Sequence, residues 1–380
     1  MAVALAERFS RVAVVHEWLT IPGGSEKVVS AILELLPQSE VFTSVYDPET
    51  SPADFKSHVV HRSFLDRVPG ARRYYPYLLP LMDAAFRSFD LSTFDLVISS
   101  NHACAKNVRT PPGAPHVCYC HTPMRYAWDP EFLESEALGP MIRRLLPLET
   151  AWLRRIDRKR AAGPDVYVAN STFVATRIVE AYGRPSQVIH PPVEVSELLD
   201  VERDPGDAYL VFGRLVPYKR IDIAIRACER MGRKLIVAGS GRDLDRLRRV
   251  AGPGTEFLGH IPDEHIADLF SRARALIFPG VEDFGMVPVE AQAAGLPVIA
   301  YGEGGVCDSV IHGQTGVLYP DGSVDALCQA IELFESMDFD ERDLRANAAR
   351  FAPEHFAQAF DQLLGSLQAK AIEADTLRTR

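Results

Sequence analysis

No apolar run in this 380-residue chain comes near the roughly 20 residues that a bilayer-spanning helix requires, which excludes an integral α-helical membrane protein. Positive charge is also short. Against 51 aspartates and glutamates stand 41 lysines and arginines, a net charge of −10, and nucleic-acid backbones need a basic surface, so nucleic acid is not an expected partner. There are six cysteines, and only Cys118 and Cys120 are close in sequence. Strand alternation puts that pair on one face, which suits packing. No second Cys or His pair accompanies it, so neither a zinc site nor a disulfide framework is expected. Repeats and low-complexity tracts are absent. The start of the chain offers a short apolar stretch, residues 2–6, with no basic region before it; a secretory signal is therefore not expected, and the cytoplasm is the expected compartment.

What is present reads as a soluble α/β chain of two domains. Hydrophobic residues make up 47% and charged residues 24%, and the length exceeds the common domain size of about 100–200 residues. Short β-branched runs at 12–15, 41–45, 96–99, 117–120 and 167–169, then at 209–212, 235–238, 276–278 and 298–300, alternate with helical patterns. That rhythm predicts buried parallel strands with crossover helices. Between the two series, residues 191–207 have proline near both ends and acidic residues between. They are the expected linker, with domains over 1–190 and 208–355.

Each half opens with a strand and a glycine-bearing turn into a helix. The first turn carries Gly23, Gly24, Ser25 as a candidate N-cap and Glu26 at the positive end of the helix dipole. The second carries Gly213, Arg214, Tyr218 and Lys219. Two such turns predict facing domains with a ligand between them.

The segment 279–295 is the most informative. A buried strand ends at Pro279 and a glycine loop follows. Pro288 suits a first helical turn and Gly295 a helix stop, so a helix is expected from about Val287. Free backbone N–H groups near Gly285, Met286 and Val287 make the helix start an anion site. Glu282 and Glu290 flank that position rather than occupy it. Arg214 and Lys219 supply the cations that a phosphate beside two carboxylates requires. A pair of carboxylates also serves glycosidases, but that chemistry gives no reason for two cations beside a helix-end anion site.

These segments, from residue 12 to about 360, resemble retaining glycosyltransferases of family 4, which have the GT-B fold. Residues 15–18, 99–106, 118–129 and 216–222 look most like bacterial O-antigen and exopolysaccharide mannosyltransferases. Two departures from the family pattern are acidic for acidic: Glu17 in place of a more usual Asp, and Asp308 where Glu is commoner. The resemblance implies two facing Rossmann-like domains with parallel sheets and a C-terminal helix, 356–380, that packs back on the first domain. It implies a nucleotide-sugar donor, best matched by GDP-mannose, with Glu290 on the ribose and Arg214 and Lys219 on the diphosphate; the alternatives are a UDP-sugar-dependent retaining transferase for glucose or N-acetylglucosamine, and a non-catalytic nucleotide-sugar binding protein of the same fold. Glu282 and the backbone of Phe284, Gly285 and Met286 would hold the sugar. Gly24, Gly239 and Ile261 would complete the donor site, and His121 would reach the donor sugar. His16, Glu17 and His102 are the acceptor-side candidates. The diphosphate itself would take the acceptor's proton, and with Arg214 and Lys219 in place of a cation no metal or other cofactor is expected. Asp243 with Asp245, and Asp338 with Asp340, match a metal-binding Asp-x-Asp pattern but sit in charged segments read as surface.

The expected acceptor is a saccharide or a lipid-linked saccharide. Residues 141–160 hold seven basic and two acidic residues interleaved with Leu, Ile and Trp, and 65–89 are similarly basic and apolar. Both suit peripheral contact with the inner face of an anionic membrane.

Overall fold

A computed structural model of the chain describes residues 8–20, 23–129 and 140–378, apart from the side chains at 76, 140–146 and 370–378. The chain forms two units, Met1–Pro192 with Glu354–Arg380, and Val193–Pro353.

In the first unit the β-branched runs become β1 (Val12–His16), β2 (Glu40–Thr43), β4 (Leu96–Asn101), β5 (His116–Cys120) and β6 (Val166–Ala169), joined by β3 (Val60–Arg62) and β7 (Ser186–Val188). They form one parallel sheet in the order β3-β2-β1-β4-β5-β6-β7. Val12 and Val14 of β1, Val28 and Ile32 of the helix Gly24–Leu35, and Phe356, Phe360, Leu363 and Leu364 of the helix Pro353–Arg378 share one core. The last helix thus returns to the first unit, and Arg8 Nη1 holds Asp361 Oδ1 at 2.9 Å. Cys118 and Cys120 share a face and pack with Tyr167, Val174 and Ile178.

The second unit contains β8 (Tyr209–Phe212), β9 (Leu235–Ala238), β10 (Thr255–Gly259), β11 (Leu276–Phe278), β12 (Val298–Tyr301) and β13 (Gly316–Tyr319). Its parallel sheet runs β10-β9-β8-β11-β12-β13. Both units are therefore Rossmann-like.

In each sheet the strand order reverses beside the first strand, between β1 and β4 and between β8 and β11. Crossover helices leave in opposite directions at such a point, which opens a crevice at the carboxyl ends of the two strands. The loops that follow those four strands carry most of the candidate site residues described below.

Two local expectations are corrected. Gly23, not Ser25, is at the N-cap of the helix Gly24–Leu35; Ser25 lies inside the first turn, where its hydroxyl donates to Glu26 Oε2 at 2.8 Å. Residues 191–207 are more than a connection: Val193 and Val195 are buried with Phe284, Val289 and Phe351 in the second unit, and Val193 N donates to Phe351 O at 2.9 Å.

Candidate active site

In the second unit, four loops at the carboxyl ends of the strands interlock through glycine. A β-carbon on Gly239, where φ is +137°, would lie 1.8 Å from Gly213 O, and one on Gly241 would lie 2.2 Å from Leu215 O. A β-carbon on Gly280 would meet the Lys219 backbone at 2.6 Å, and one on Gly305 would meet Asp283 O at 2.2 Å. Only glycine permits approaches this close. Hydrogen bonds follow the contacts, from Gly213 N to Ala238 O at 3.0 Å, Leu215 N to Ser240 O at 2.9 Å and Gly305 N to Glu282 O at 2.8 Å. The backbone around Arg214, Lys219 and Glu282 is thereby held by neighbouring loops.

The interlock brings Lys219 and Glu282 together. Lys219 Nζ lies 2.7 Å from Glu282 Oε1, with both side chains mostly shielded from water. Arg214 is exposed on the same loop, with Nη2 at 3.5 Å from the Tyr218 hydroxyl. Arg220, at φ +51°, turns the chain into the helix Ile221–Arg230.

Beyond Glu282 the chain enters the helix Met286–Ala293, with Gly285 at the N-cap in a positive-φ conformation and no side chain capping the end. Pro288 lies in the first turn and Gly295, at φ +75°, follows the last. Phe284 is buried against Phe351, ring centroids 5.5 Å apart. Its side chain thus anchors the loop. Glu290 is half-buried in the second turn of the helix, and Met286 is half-buried in the first. Gly239 and half-buried Ile261 follow β9 and β10.

In the first unit, Glu17 is buried, and its carboxylate accepts backbone N–H groups from His102 at 3.2 Å, Ala103 at 2.7 Å, Cys104 at 2.9 Å and Ala105 at 2.9 Å. Burial raises its pKa, against the pull of those same donors. This set of bonds fixes the loop after β4, which carries another acceptor-side candidate, His102. His102, on that loop, packs edge-on against Trp18 with centroids 4.7 Å apart.

His16 is fully buried at the end of β1. Its Nε2 lies 3.3 Å from Glu26 Oε1 and its Nδ1 lies 3.0 Å from Ser100 Oγ. The same Ser100 hydroxyl lies 2.8 Å from His121 Nε2. His121 is half-buried just past β5, its N donating to Asn101 O at 2.9 Å. Glu26 is buried too; burial alone would raise its carboxyl, but the His16 ring and the Ser25 hydroxyl outweigh burial and hold it at about 2. Gly24 is exposed at the start of this helix. Nearby, Thr20 Oγ1, Asn101 Nδ2 and Thr122 Oγ1 are buried with no hydrogen-bond partner among the described residues, a state that asks for a ligand or an ordered water.

Sequence reasoning missed Glu26 and Ser100 as members of this cluster. The available signal was positional, since Ser100 ends a strand beside β1 in the sheet and Glu26 sits one turn into the glycine-led helix. Of the Asp-x-Asp segments, Asp243 is buried and gripped by Arg246 at 2.7 and 2.8 Å, and Asp340 caps the helix Glu341–Ala349 by accepting Arg342 N. Among the described residues no group of three or more His, Cys, Asp or Glu is placed to hold a metal ion.

The chain resembles known proteins over both units. The family model described as Glycosyltransferase Family 4 matches residues 22–197, and that described as Glycosyl transferases group 1 matches 201–353. A D-inositol 3-phosphate glycosyltransferase of Rhodococcus erythropolis is 31% identical over 251 residues, 57% of this chain and 56% of that protein. A GDP-mannose-dependent alpha-(1-6)-phosphatidylinositol monomannoside mannosyltransferase of Mycolicibacterium smegmatis is 30% identical over 222 residues, 49% of this chain and 56% of that protein. The chain therefore spans little more than half the length of these two curated relatives. Among solved structures, Anabaena HepE in complex with UDP and glucose superposes with a TM-score of 0.66 at 20% identity, over 93% of this chain and 99% of that one. At that identity the likeness is one of fold.

Proposed function

Because the chain belongs to glycosyltransferase family 4 and has the GT-B fold, we propose that it is a retaining, nucleotide-sugar-dependent hexosyltransferase whose donor binds in the second unit around Lys219 and Glu282. The observation that carries this reading is the 2.7 Å pair they form, set by glycine-locked loops beside an uncapped helix start. A diphosphate placed there meets the positive end of the helix, the Lys219 ammonium and the Arg214 guanidinium. Glu282 then receives the sugar hydroxyls and Glu290 the ribose.

In the proposed reaction the bond from the anomeric carbon to the diphosphate breaks as the acceptor oxygen attacks from the same face. The acceptor's proton passes to a diphosphate oxygen. Arg214 and Lys219 stabilise the charge that develops on the leaving group, the kind of contact worth the most where water is excluded. No protein nucleophile and no metal is needed. His121, held by the first unit, contacts the donor sugar in this reading.

GDP-mannose is the proposed donor, on the resemblance of residues 15–18, 99–106, 118–129 and 216–222 to mannosyltransferases and on the GDP-mannose dependence of the Mycolicibacterium relative. A saccharide or lipid-linked saccharide is the proposed acceptor, met at the inner face of the cytoplasmic membrane. Support for membrane contact comes from the helix Pro140–Arg160, where Leu148 and Trp152 are exposed one turn apart and Arg155 and Lys159 are exposed beyond them. Among the described residues no helix is long and apolar enough to cross a membrane.

A thermal-shift panel of GDP, GDP-mannose, UDP, UDP-glucose, UDP-N-acetylglucosamine and ADP-glucose, each with and without EDTA, tests the proposal. Ligand at about 100 times its Kd adds roughly 2.7 kcal/mol, a shift of several degrees. A selective shift with the GDP compounds that EDTA leaves unchanged is expected. A shift confined to the UDP compounds overturns the donor assignment, and no shift with any compound overturns the site.

A further inference from the structure

We propose that Glu26, His16 and Ser100 form a hydrogen-bonded relay that sets which ring nitrogen of His121 carries a proton. The relay runs from the helix Gly24–Leu35 across β1 and β4 to the end of β5, strands that are neighbours in the sheet. His16 and Ser100 are register partners. The links are 3.3 Å from Glu26 Oε1 to His16 Nε2, 3.0 Å from His16 Nδ1 to Ser100 Oγ and 2.8 Å from Ser100 Oγ to His121 Nε2. Glu26, His16 and Ser100 are buried, and His121 is the half-buried end.

The order of donors follows from the inventory of each group. An ionised Glu26 accepts only, so His16 Nε2 carries the proton between them. In neutral His16 the other nitrogen, Nδ1, is then an acceptor, and the single Ser100 proton points to it. The Ser100 oxygen in turn accepts from His121 Nε2, which leaves Nδ1 of His121 as the acceptor nitrogen. Supplying one more proton at His121 Nδ1 reverses the line. The His121 Nε2–H bond breaks as a Ser100 O–H bond forms, and the original Ser100 O–H bond breaks as an Nδ1–H bond forms on His16. One proton enters at His121 and one more resides on His16, whose imidazolium faces the Glu26 carboxylate. His121 stays neutral but changes from acceptor to donor at Nδ1.

Here one hydroxyl joins two imidazoles, so the proton on the first dictates the tautomer of the second. Other groups around the line among the described residues include the Glu17 carboxylate, whose oxygens face the 102–105 backbone, the His102 ring at 6.0 Å from His16 and 6.3 Å from His121, and Tyr119, whose hydroxyl donates to Ile189 O. Against Glu17, Glu26 is the carboxylate in direct contact with His16. Glu26, His16 and Ser100 are thus positioning residues acting through His121. That His121 then meets a donor sugar rests on the proposed function, whereas the relay itself does not.

The test is side-chain 15N NMR of the ligand-free full chain from pH 5 to 9, which reports the tautomer of each histidine. Wild type is expected to show His121 with its proton on Nε2 at high pH, and to shift the tautomer to Nδ1 in the same transition that protonates His16. In Glu26→Gln that shared transition moves to lower pH, a loss of proton affinity of about tenfold or more, since an opposite charge in contact is removed. In Ser100→Ala the two rings uncouple and His121 no longer follows His16; Ser100→Thr restores the coupling. A His121 tautomer indifferent to pH in wild type, or a transition unchanged in both Glu26→Gln and Ser100→Ala, overturns the relay. Because no nucleotide is present, a silent nucleotide panel beside coupled histidines condemns the donor site alone, and uncoupled histidines beside a normal panel condemn the relay alone.

Discussion

Lys219 Nζ lies 2.7 Å from Glu282 Oε1 across the switch point between β8 and β11. In the proposed reading the ammonium offered to the phosphate is held by the carboxylate offered to the sugar, so donor binding is expected to separate the pair. Nucleoside diphosphate alone competes with Glu282 for Lys219, whereas a full nucleotide-sugar gives Glu282 hydroxyl partners in exchange. Glu282→Gln is expected to bind GDP as well as wild type or up to about fivefold tighter, the worth of a partly exposed ion pair. Its turnover with GDP-mannose is expected to fall at least about a hundredfold. Calorimetric titration with GDP beside an initial-rate assay checks both halves. Loss of GDP affinity would show instead that Glu282 holds the loop together.

Gly239→Ala tests the interlock. A β-carbon there would sit 1.8 Å from the Gly213 carbonyl, in a backbone conformation that side chains rarely adopt. The expected destabilisation is at least about 2 kcal/mol, with loss of nucleotide binding beyond what stability explains. Gly183→Ala is the control: it also has positive φ, but nothing lies within 4 Å, so about 1 kcal/mol is expected there with binding intact. Urea melts of the two variants, compared at equal fraction folded, separate strain from loss of the site.

The strands that were legible as β-branched runs, and those that were not, divide by position in the sheets. Nine expected strands are present, and each lies inside its sheet. Outside those nine β-branched runs lie β3, β7, β10 and β13, which are the four sheet edges. An edge strand is half-covered and needs no continuous β-branched run: Val60–Arg62, Ser186–Val188 and Thr255–Gly259 alternate or lack buried positions. In the site, Glu282, Glu290, Arg214 and Lys219 stood out because their spacing beside glycine and a helix start has a chemical reason. Glu26 and Ser100 did not, since one resembles an ordinary first-turn acid and the other an ordinary strand residue. Only the lateral order β1-β4-β5 joins them to His16 and His121, and lateral order is not written in a single sequence.

A buried charged hub in the first unit predicts a stability effect. Lys106 and Asp157 are in contact and both fully buried, and Asp157 also accepts Trp128 Nε1 at 2.7 Å and the Tyr182 hydroxyl at 2.8 Å. Asp157→Ala leaves a buried ammonium alone and is expected to cost about 3–5 kcal/mol. Lys106→Met with Asp157→Leu, which removes both charges, is expected to cost less than the sum of the two single changes. A double-mutant cycle by chemical denaturation measures the difference.

His116 gives the protein an acid limb. It is fully buried, with Nε2 at 2.9 Å from Ser99 Oγ, and burial, aided by the Lys106 charge, lowers its pKa from the usual 6.5 to about 3. The unfolded chain takes up a proton as pH falls through 6.5, while the folded chain stays neutral there until about 3. Stability is therefore expected to decline between pH 6.5 and 3, by up to about 1.4 kcal/mol per unit from this group. His116→Asn, although less stable at neutral pH, should show a shallower decline; equal slopes for the two proteins would assign the acid limb to other groups.

The location of the donor site is tested most directly by titrating GDP-mannose, in EDTA, into wild type, Glu290→Ala and Arg214→Ala, with melting temperatures measured alongside. Wild type is predicted to bind without metal, Glu290→Ala to bind at least about tenfold more weakly, and Arg214→Ala to lose turnover by several orders of magnitude while remaining folded. Affinity and turnover near wild-type values in both variants would contradict the assignment of the donor to the second unit.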